Sequence, residues 1–305
     1  MRSVATKKRI LRLVYKSVLE KEEKKIQAGL LGEEVQVKVY EVTVDSLILQ
    51  DPSMLDVERV NPNHLMRLAP RPWISYCRWH SGPLSRPDKP WERIYCNIPS
   101  DSYCRQHKRS PRHIYELCVT LRGERGLAAC RELDKIERID YVVYLTDFGG
   151  EKPKIGMTRR FRFLERIAEQ THLTATIIFE TDSAYEARLV ELRLSKEGFA
   201  QEIKRQTLRR KRNIGESALR LKVWAERITR LLGVEWNNKI ISIEASDNKF
   251  YESIPLRKPE GFTLPFRVAG FWGGFLSLEA DGVRYAVNVR SLQHRLSIAL
   301  IQDSI

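Results

Sequence analysis

The sequence contains no apolar run close to the roughly 20 residues that a helix needs to cross a bilayer. Basic residues follow Met1 at positions 2, 7, 8 and 9, so the apolar stretch of a secretion signal is missing as well. We therefore expect a cytoplasmic protein without a membrane partner. Cysteine is also scarce, and an odd number, five, in a chain without a secretion signal favours a metal site over a disulfide framework.

Acidic residues are under-represented. The 305 residues include 39 Asp and Glu against 53 Lys and Arg, which gives a formal net charge of +14. A balance of this size favours a polyanionic partner, and nucleic acid, either DNA or RNA, is the leading candidate. A merely cationic protein is the alternative.

The hydrophobic pattern predicts an α+β protein. Apolar residues at helical spacing between Thr6 and Ala28 predict an amphipathic opening helix. Near-alternating valines from Val35 to Val44, and then Leu47 to Leu49, predict two strands. A small mixed sheet flanked by helices is expected in the middle of the chain. The C-terminal part returns to strands, with Asp281-Gly282 as a hairpin turn.

The chain length allows two domains or a little more. The predicted organisation has four parts. Residues 1–60 form a helix and a β-hairpin that pair with the C-terminal sheet, residues 61–135 a Cys/His module with a linking helix, residues 136–233 an α+β domain with a basic helix, and residues 234–305 a β-rich domain.

The second part contains two Cys-x2-His pairs, Cys77 with His80 and Cys104 with His107, and Cys96 lies between them. This spacing is typical of a structural zinc site, which takes four ligands in a tetrahedron. We favour Cys77, Cys96, Cys104 and His107, with His80 as the substitute. Residues 61–112 contain eight prolines and few aliphatic residues for a core, so this segment needs a bound metal to stabilise it. Cys118 and Cys130 are predicted to be buried thiols.

Residues 141–197 are predicted to fold as two strands, a helix, a third strand and a second helix. Val142-Val143-Tyr144 lies on the first strand, and Lys154-Ile155-Gly156 follows the turn. Arg166 comes ten residues after Gly156, and Glu191 lies on the last helix. These motifs, in this order, resemble the GIY-YIG endonuclease superfamily. With the upstream Cys/His cluster, the chain is similar to a prokaryotic, largely archaeal, zinc-containing family of unknown function.

The resemblance implies a catalytic site. Tyr144 would act as the base or position a water, Arg166 would clamp the phosphate, and Glu191 would bind Mg²⁺ or Mn²⁺. Phosphodiester hydrolysis needs these three contributions. A single carboxylate suffices because magnesium keeps several waters.

Two positions depart from the superfamily's motifs. Val142 replaces the first glycine, and Lys154 replaces the second tyrosine. A lysine there can hold a phosphate, but it also marks a site that binds without cutting. Two hypotheses follow: a metal-dependent nuclease using Tyr144, Lys154, Arg166 and Glu191, or a non-catalytic nucleic-acid-binding protein. A third is a zinc-stabilised scaffold for protein partners.

Further contacts with nucleic acid are predicted at Thr158 and Arg159, just after the second motif, and in a basic segment. That segment contains Lys204, Arg205, Arg209, Arg210, Lys211 and Arg212. Such a cluster is suited to following a phosphate backbone without reading the base sequence. A solvated helix face is the alternative.

Overall fold

A computed structural model describes residues 6–28, 33–87, 89–199, 213–246, 250, 255–257 and 262–301. Within these ranges the strands are β1 Thr6–Ala28, β2 Glu33–Gln50, β3 Val57–Val60, β4 Met66–Leu68, β5 Tyr141–Asp147, β6 Lys154–Arg159, β7 Thr174–Thr181, β8 Ile240–Ala245, β9 Arg267–Trp272, β10 Phe275–Ala280, β11 Val283–Asn288 and β12 Arg295–Ile301. The helices are α1 Pro111–Thr120, α2 Gly123–Ile136, α3 Phe163–Ala168, α4 Ala184–Lys196 and α5 Ile214–Leu232.

One large sheet dominates the described part of the chain. Its nine strands run in the order β4-β12-β1-β2-β8-β7-β5-β6, with β3 paired to β2. The β2–β8 pair is parallel and the neighbouring pairs are antiparallel. A second sheet has the order β11-β10-β9. The α+β class is therefore confirmed, but the mixed sheet is large rather than small, because strands from both ends of the chain join those from the middle.

The predicted opening helix is wrong. Residues 6–28 form strand β1, which pairs with β12 on one side and with β2 on the other. Register shifts next to Leu11 interrupt the alternation of the strand, and Ile10 and Leu11 are both fully buried. Bulges of this kind remove the two-residue period, so the apolar spacing looked helical. β2 is likewise one long strand where two were predicted.

The predicted hairpin turn is confirmed. Asp281 and Gly282 join β10 to β11, and both have positive φ, 49° and 72°, as a tight two-residue hairpin turn requires. Helix α5 ends at Gly233, whose φ of 70° is left-handed. A break just before Gly123 separates α1 from α2.

Cys118 and Cys130 are joined in a disulfide, so the prediction of two separate buried thiols is wrong. The two residues lie on α1 and α2, with their Cα atoms 4.8 Å apart. Packing of one helix against the other brings the sulfur atoms together. The sequence spacing of twelve residues does not reveal this contact.

The large sheet has an apolar cluster on each face. Val142 and Tyr144 belong to the cluster that includes α3 and the β9–β11 sheet, while Val143 and Leu145 belong to the cluster beneath α1, α2, α4 and α5. Alternation along β5 thus places the Tyr144 ring on the α3 side. In the described ranges, none of the helices is long and apolar enough to span a membrane.

Candidate functional site

Cys77, Cys96, Cys104 and His107 come together in the structure. Their ligand atoms all lie within 4.8 Å of one another. The Cys104 sulfur is 3.9 Å from that of Cys96 and 3.2 Å from Nδ1 of His107. Tetrahedral zinc with Zn–S bonds of about 2.3 Å holds its sulfur ligands about 3.8 Å apart. This buried Cys3His cluster could therefore hold a metal such as zinc.

Local structure explains how the last two ligands meet. Cys104 precedes a short 3-10 helix, Arg105–His107, and the His107 amide donates to the Cys104 carbonyl over 2.9 Å. That turn directs the imidazole back towards the Cys104 sulfur. The Cys104 amide also donates to the sulfur of Cys77 over 3.3 Å. The two-residue gap in the sequence is thus a turn that closes the cluster.

The cluster lies in a buried, aromatic environment. Burial raises the pKa of the Cys96 thiol to about 12, because thiolates are poorly solvated in such a site. A divalent metal compensates for this cost by binding the thiolates directly. The Trp79 ring stacks on His107 at 4.1 Å, and Tyr103 is buried beside the cysteines. These aromatics line the cluster.

His80, the predicted substitute ligand, lies outside the cluster. Its Nδ1 hydrogen-bonds with the Ser81 carbonyl at 2.9 Å, and its Nε2 lies 3.1 Å from the Arg93 guanidinium. Burial, together with Arg112 and Arg93, lowers the pKa of His80 to about 2. His80 is therefore a neutral, buried side chain of the loop, and the substitute assignment is corrected.

Arg12 attaches the loops of the Cys/His cluster to the sheet, a role that no sequence motif indicates. The side chain lies on β1 and is 1% exposed. It donates to the carbonyls of Cys77 and Cys96, two of the cluster residues, over 3.2 and 2.9 Å. It also donates to Gln50 and Asn97. Burial lowers the pKa of Arg12 to about 10, so it remains charged at neutral pH.

The structure also brings together Tyr144, Lys154, Arg166 and Glu191, named here the Tyr144 cluster. Gln170 connects two members of this cluster. Lys154 donates to Oε1 of Gln170 over 2.8 Å, and Nε2 of Gln170 donates to the Tyr144 hydroxyl over 3.3 Å. Arg166 and Glu191 both act electrostatically on Tyr144, and Lys154 and Arg166 both act on Glu191. The four residues therefore share one electrostatic environment.

Each member of the Tyr144 cluster nevertheless has a structural partner. The Glu191 carboxylate, 5% exposed, accepts from Arg188 of the same helix. Arg166 pairs with Glu169 at 3.0 Å. Burial raises the pKa of the Tyr144 hydroxyl, and Arg166 and Gln170 only partly oppose it. Tyr144 therefore keeps its proton at neutral pH, and Arg188 occupies one oxygen of the Glu191 carboxylate.

Gly156 has a steric role in this cluster. It lies opposite Tyr144 in the β5–β6 ladder, and a Cβ at this position would be 2.6 Å from the tyrosine hydroxyl. We predict that Gly156→Ala lowers the free energy of unfolding by about 1–3 kcal/mol, because a buried ring has to move. Urea unfolding measures this. The control is Gly150→Ala, where the nearest atom is 4.0 Å away and little change is expected.

The Glu169 carboxylate forms ion pairs with three cationic side chains. Burial raises the pKa of this carboxyl, but Lys16, Arg162 and Arg166 outweigh burial and hold it well below the usual 4.5. A lowered pKa stabilises the fold above the unfolded value and loses that contribution as pH falls through the folded value. Glu169→Gln should therefore destabilise by about 2 kcal/mol at pH 7, and the difference should shrink below about pH 4.5.

The control for this prediction is Glu165→Gln on helix α3, which ends just before Glu169. Glu165 pairs with Arg162 at 3.3 Å, and its side chain is 39% exposed. Its expected effect is below about 0.5 kcal/mol. Unfolding curves at pH 7, 5 and 3.5 give both differences. A Glu169→Gln effect that grows on acidification would contradict the assignment.

Of the residues predicted to contact nucleic acid, two are buried and those of the basic segment lie outside the described residues. Thr158 and Arg159 are 2% and 7% exposed, so neither lies on an open surface. Arg159 donates to the Leu84 carbonyl over 2.7 Å, and its guanidinium lies over the rings of Tyr115 and Phe161. The basic segment from Lys204 to Arg212 lies outside the described residues.

Comparison with known proteins gives one result. The sequence model of a family described as "Protein of unknown function (DUF2797)" matches residues 102–257, just over half of the 305 residues. The match covers the Tyr144 cluster and two of the four Cys/His ligands, Cys104 and His107. No curated protein and no solved structure matches the chain. The family description states no function.

Proposed function

The chain belongs to the DUF2797 family of proteins of unknown function, and we propose that it is a nucleic-acid-binding protein with a nuclease-like α+β unit. The observation that carries this proposal is the convergence of the Tyr144 cluster. The resemblance to GIY-YIG proteins requires four residues, far apart in sequence, to meet. β5 lies between β6 and β7, α3 covers Tyr144, and α4 supplies Glu191.

The charges favour a phosphate ligand. Lys154 and Arg166 bring two cations to the cluster, and the whole chain has a net charge of +14. Phosphate contacts from Lys and Arg supply most of the affinity of non-specific nucleic-acid binding. Zinc, held by Cys77, Cys96, Cys104 and His107, has a structural role in this proposal, because four protein ligands leave no open position for a substrate.

Binding without cleavage is favoured over hydrolysis by one contact. Arg188 occupies the Glu191 carboxylate, and both side chains are almost fully buried. Lys154 replaces a hydroxyl with a cation, which suits holding a phosphate. Divalent-metal-dependent phosphodiester hydrolysis is the second candidate function. It is favoured by the proximity of Glu191 to Tyr144 and Arg166, the three groups that the reaction would use.

Fluorescence anisotropy with labelled single- and double-stranded DNA and RNA tests the binding proposal. We expect binding that weakens steeply between about 50 and 200 mM salt. Lys154→Ala should weaken it by roughly tenfold. Lys152→Ala removes the same side chain from an exposed turn two residues earlier and should have little effect. Failure to bind any of these nucleic acids at low salt would overturn the proposal.

Incubation of the same substrates with Mg²⁺ or Mn²⁺ tests the second candidate. Cleavage that is lost in Glu191→Gln and kept in Glu186→Gln, an exposed residue of the same helix, would support hydrolysis. Intact substrates with every metal, under conditions where they bind, would exclude it for these substrates.

A further inference from the structure

A cavity of ≈ 220 Å³ lies between the metal-binding loops, α1 and the end of β6. Four arginines contribute to its lining: Arg78, Arg112, Arg159 and Arg162. Small-molecule pockets usually measure about 300–1,000 Å³, so this one is suited to a compact group. It is separate from the Tyr144 cluster, none of whose members line it.

The positive charge of this cavity is only partly neutralised. Glu116 is the one carboxylate among the described residues that line it, and it pairs with Arg78 at 2.8 Å. Arg162 is paired with Glu165 and Glu169. For Arg112 and Arg159, the described part of the chain contains no carboxylate partner within ion-pair distance. Two of the four arginines therefore have no ion-pair partner among the described residues.

The contacts of these two arginines are with neutral groups. Arg112 donates to the carbonyls of residues 80 to 83, and Arg159 donates to that of Leu84. The Nε atom of Arg159 is buried and has no hydrogen-bond partner among the described residues. Burial, and then Arg93 and Arg159, lower the pKa of Arg112 to about 9. Like charges held this close in a buried site favour a bound anion.

We propose that this cavity binds a phosphate-class anion, with Arg159 and Arg112 at its wall and Arg162 at its accessible edge. Arginine is suited to this ligand because its planar fork donates two hydrogen bonds to one phosphate. The anion is either a backbone phosphate of a nucleic acid or the phosphate of a small molecule. This site does not rest on the proposed function, because no member of the Tyr144 cluster lines the cavity.

Isothermal titration calorimetry with inorganic phosphate and pyrophosphate tests the site in the full chain. Two partly exposed residues allow substitutions with opposite expected effects. Arg162→Gln removes a lining cation and should weaken pyrophosphate binding by roughly tenfold. Glu116→Gln removes the lining carboxylate and should strengthen it by roughly threefold or more. The control is Arg160→Gln, a neighbouring exposed arginine paired with Glu180 outside the cavity, which should leave binding unchanged.

The same titration distinguishes the two sources of phosphate. Competition between pyrophosphate and a single-stranded oligonucleotide, lost in Arg162→Gln, would identify a backbone phosphate. Pyrophosphate binding without competition would identify a small phosphorylated ligand, and would support the cavity even if nucleic-acid binding failed. Absence of pyrophosphate binding, or equal effects of Arg162→Gln and Arg160→Gln, would overturn the site.

Discussion

Purified protein is expected to contain about one zinc ion per chain, and Cys104→Ala is expected to lose it together with the folded structure of residues 61–112. Structural zinc sites contribute about 10–16 kcal/mol of apparent binding free energy. Whole domains are stable by only about 5–15 kcal/mol. Loss of one of four ligands is therefore expected to have the largest effect of any single substitution here. Metal analysis and circular dichroism measure it.

His80→Ala is the matched control for the metal prediction. His80 follows Cys77 with the same spacing that separates His107 from Cys104, yet its imidazole contacts Ser81 and Arg93 instead of the cysteines. The zinc content of His80→Ala should equal that of the wild type. Loss of zinc in His80→Ala, with zinc kept in His107→Ala, would reverse the ligand assignment. Folded, metal-free wild-type protein would exclude a structural metal.

Glu191→Ala is expected to lower the free energy of unfolding by about 3–5 kcal/mol, because it leaves a buried arginine unpaired. The Arg188 side chain is 4% exposed, and among the described residues its other hydrogen bond is to the Leu121 carbonyl at 2.8 Å. Replacing both members, Arg188→Met with Glu191→Leu, should restore most of the loss, since apolar pairs of similar volume often replace buried ion pairs without cost. Urea unfolding of the two single variants and the double variant measures the coupling.

The exposed Arg193 on the same helix provides the control, and Arg193→Ala should change stability by less than about 0.5 kcal/mol. An equally small effect of Glu191→Ala would show that the ion pair does not stabilise the fold. The double variant also sharpens the cleavage assay, since it is expected to be folded but has no carboxylate at position 191. Metal-dependent cleavage by that variant would remove Glu191 from the proposed chemistry.

Short-range signals in the sequence were reliable guides where a single turn or spacing determines the structure. Asp281-Gly282 predicted the β10–β11 hairpin because few other residues accept two successive positive φ values. The Cys/His spacing correctly singled out the four residues whose ligand atoms meet. The order of strands and helices from Tyr141 to Lys196 was also predicted, since each element carries its own periodicity.

Contacts between elements far apart in the chain could not be predicted from the sequence in this way. The apolar pattern of residues 6–28 predicts a helix. The segment forms a strand instead, because β12 and β2 pair with its two edges. Burial of Arg12 follows from that pairing, because β1 passes under the loops that carry the Cys/His cluster. The Cys118–Cys130 disulfide likewise depends on how α1 packs on α2.

The sequence by itself indicated the Cys/His residues of the candidate metal cluster, the local elements of the Tyr144 cluster and the excess of positive charge. The tertiary structure alone decided which charges are compensated. Glu191 is paired with Arg188, whereas Arg112 and Arg159 face a cavity without a carboxylate of their own among the described residues. The physical reason is that ion pairs and burial depend on distances between elements far apart in the chain, and local periodicity does not encode those distances.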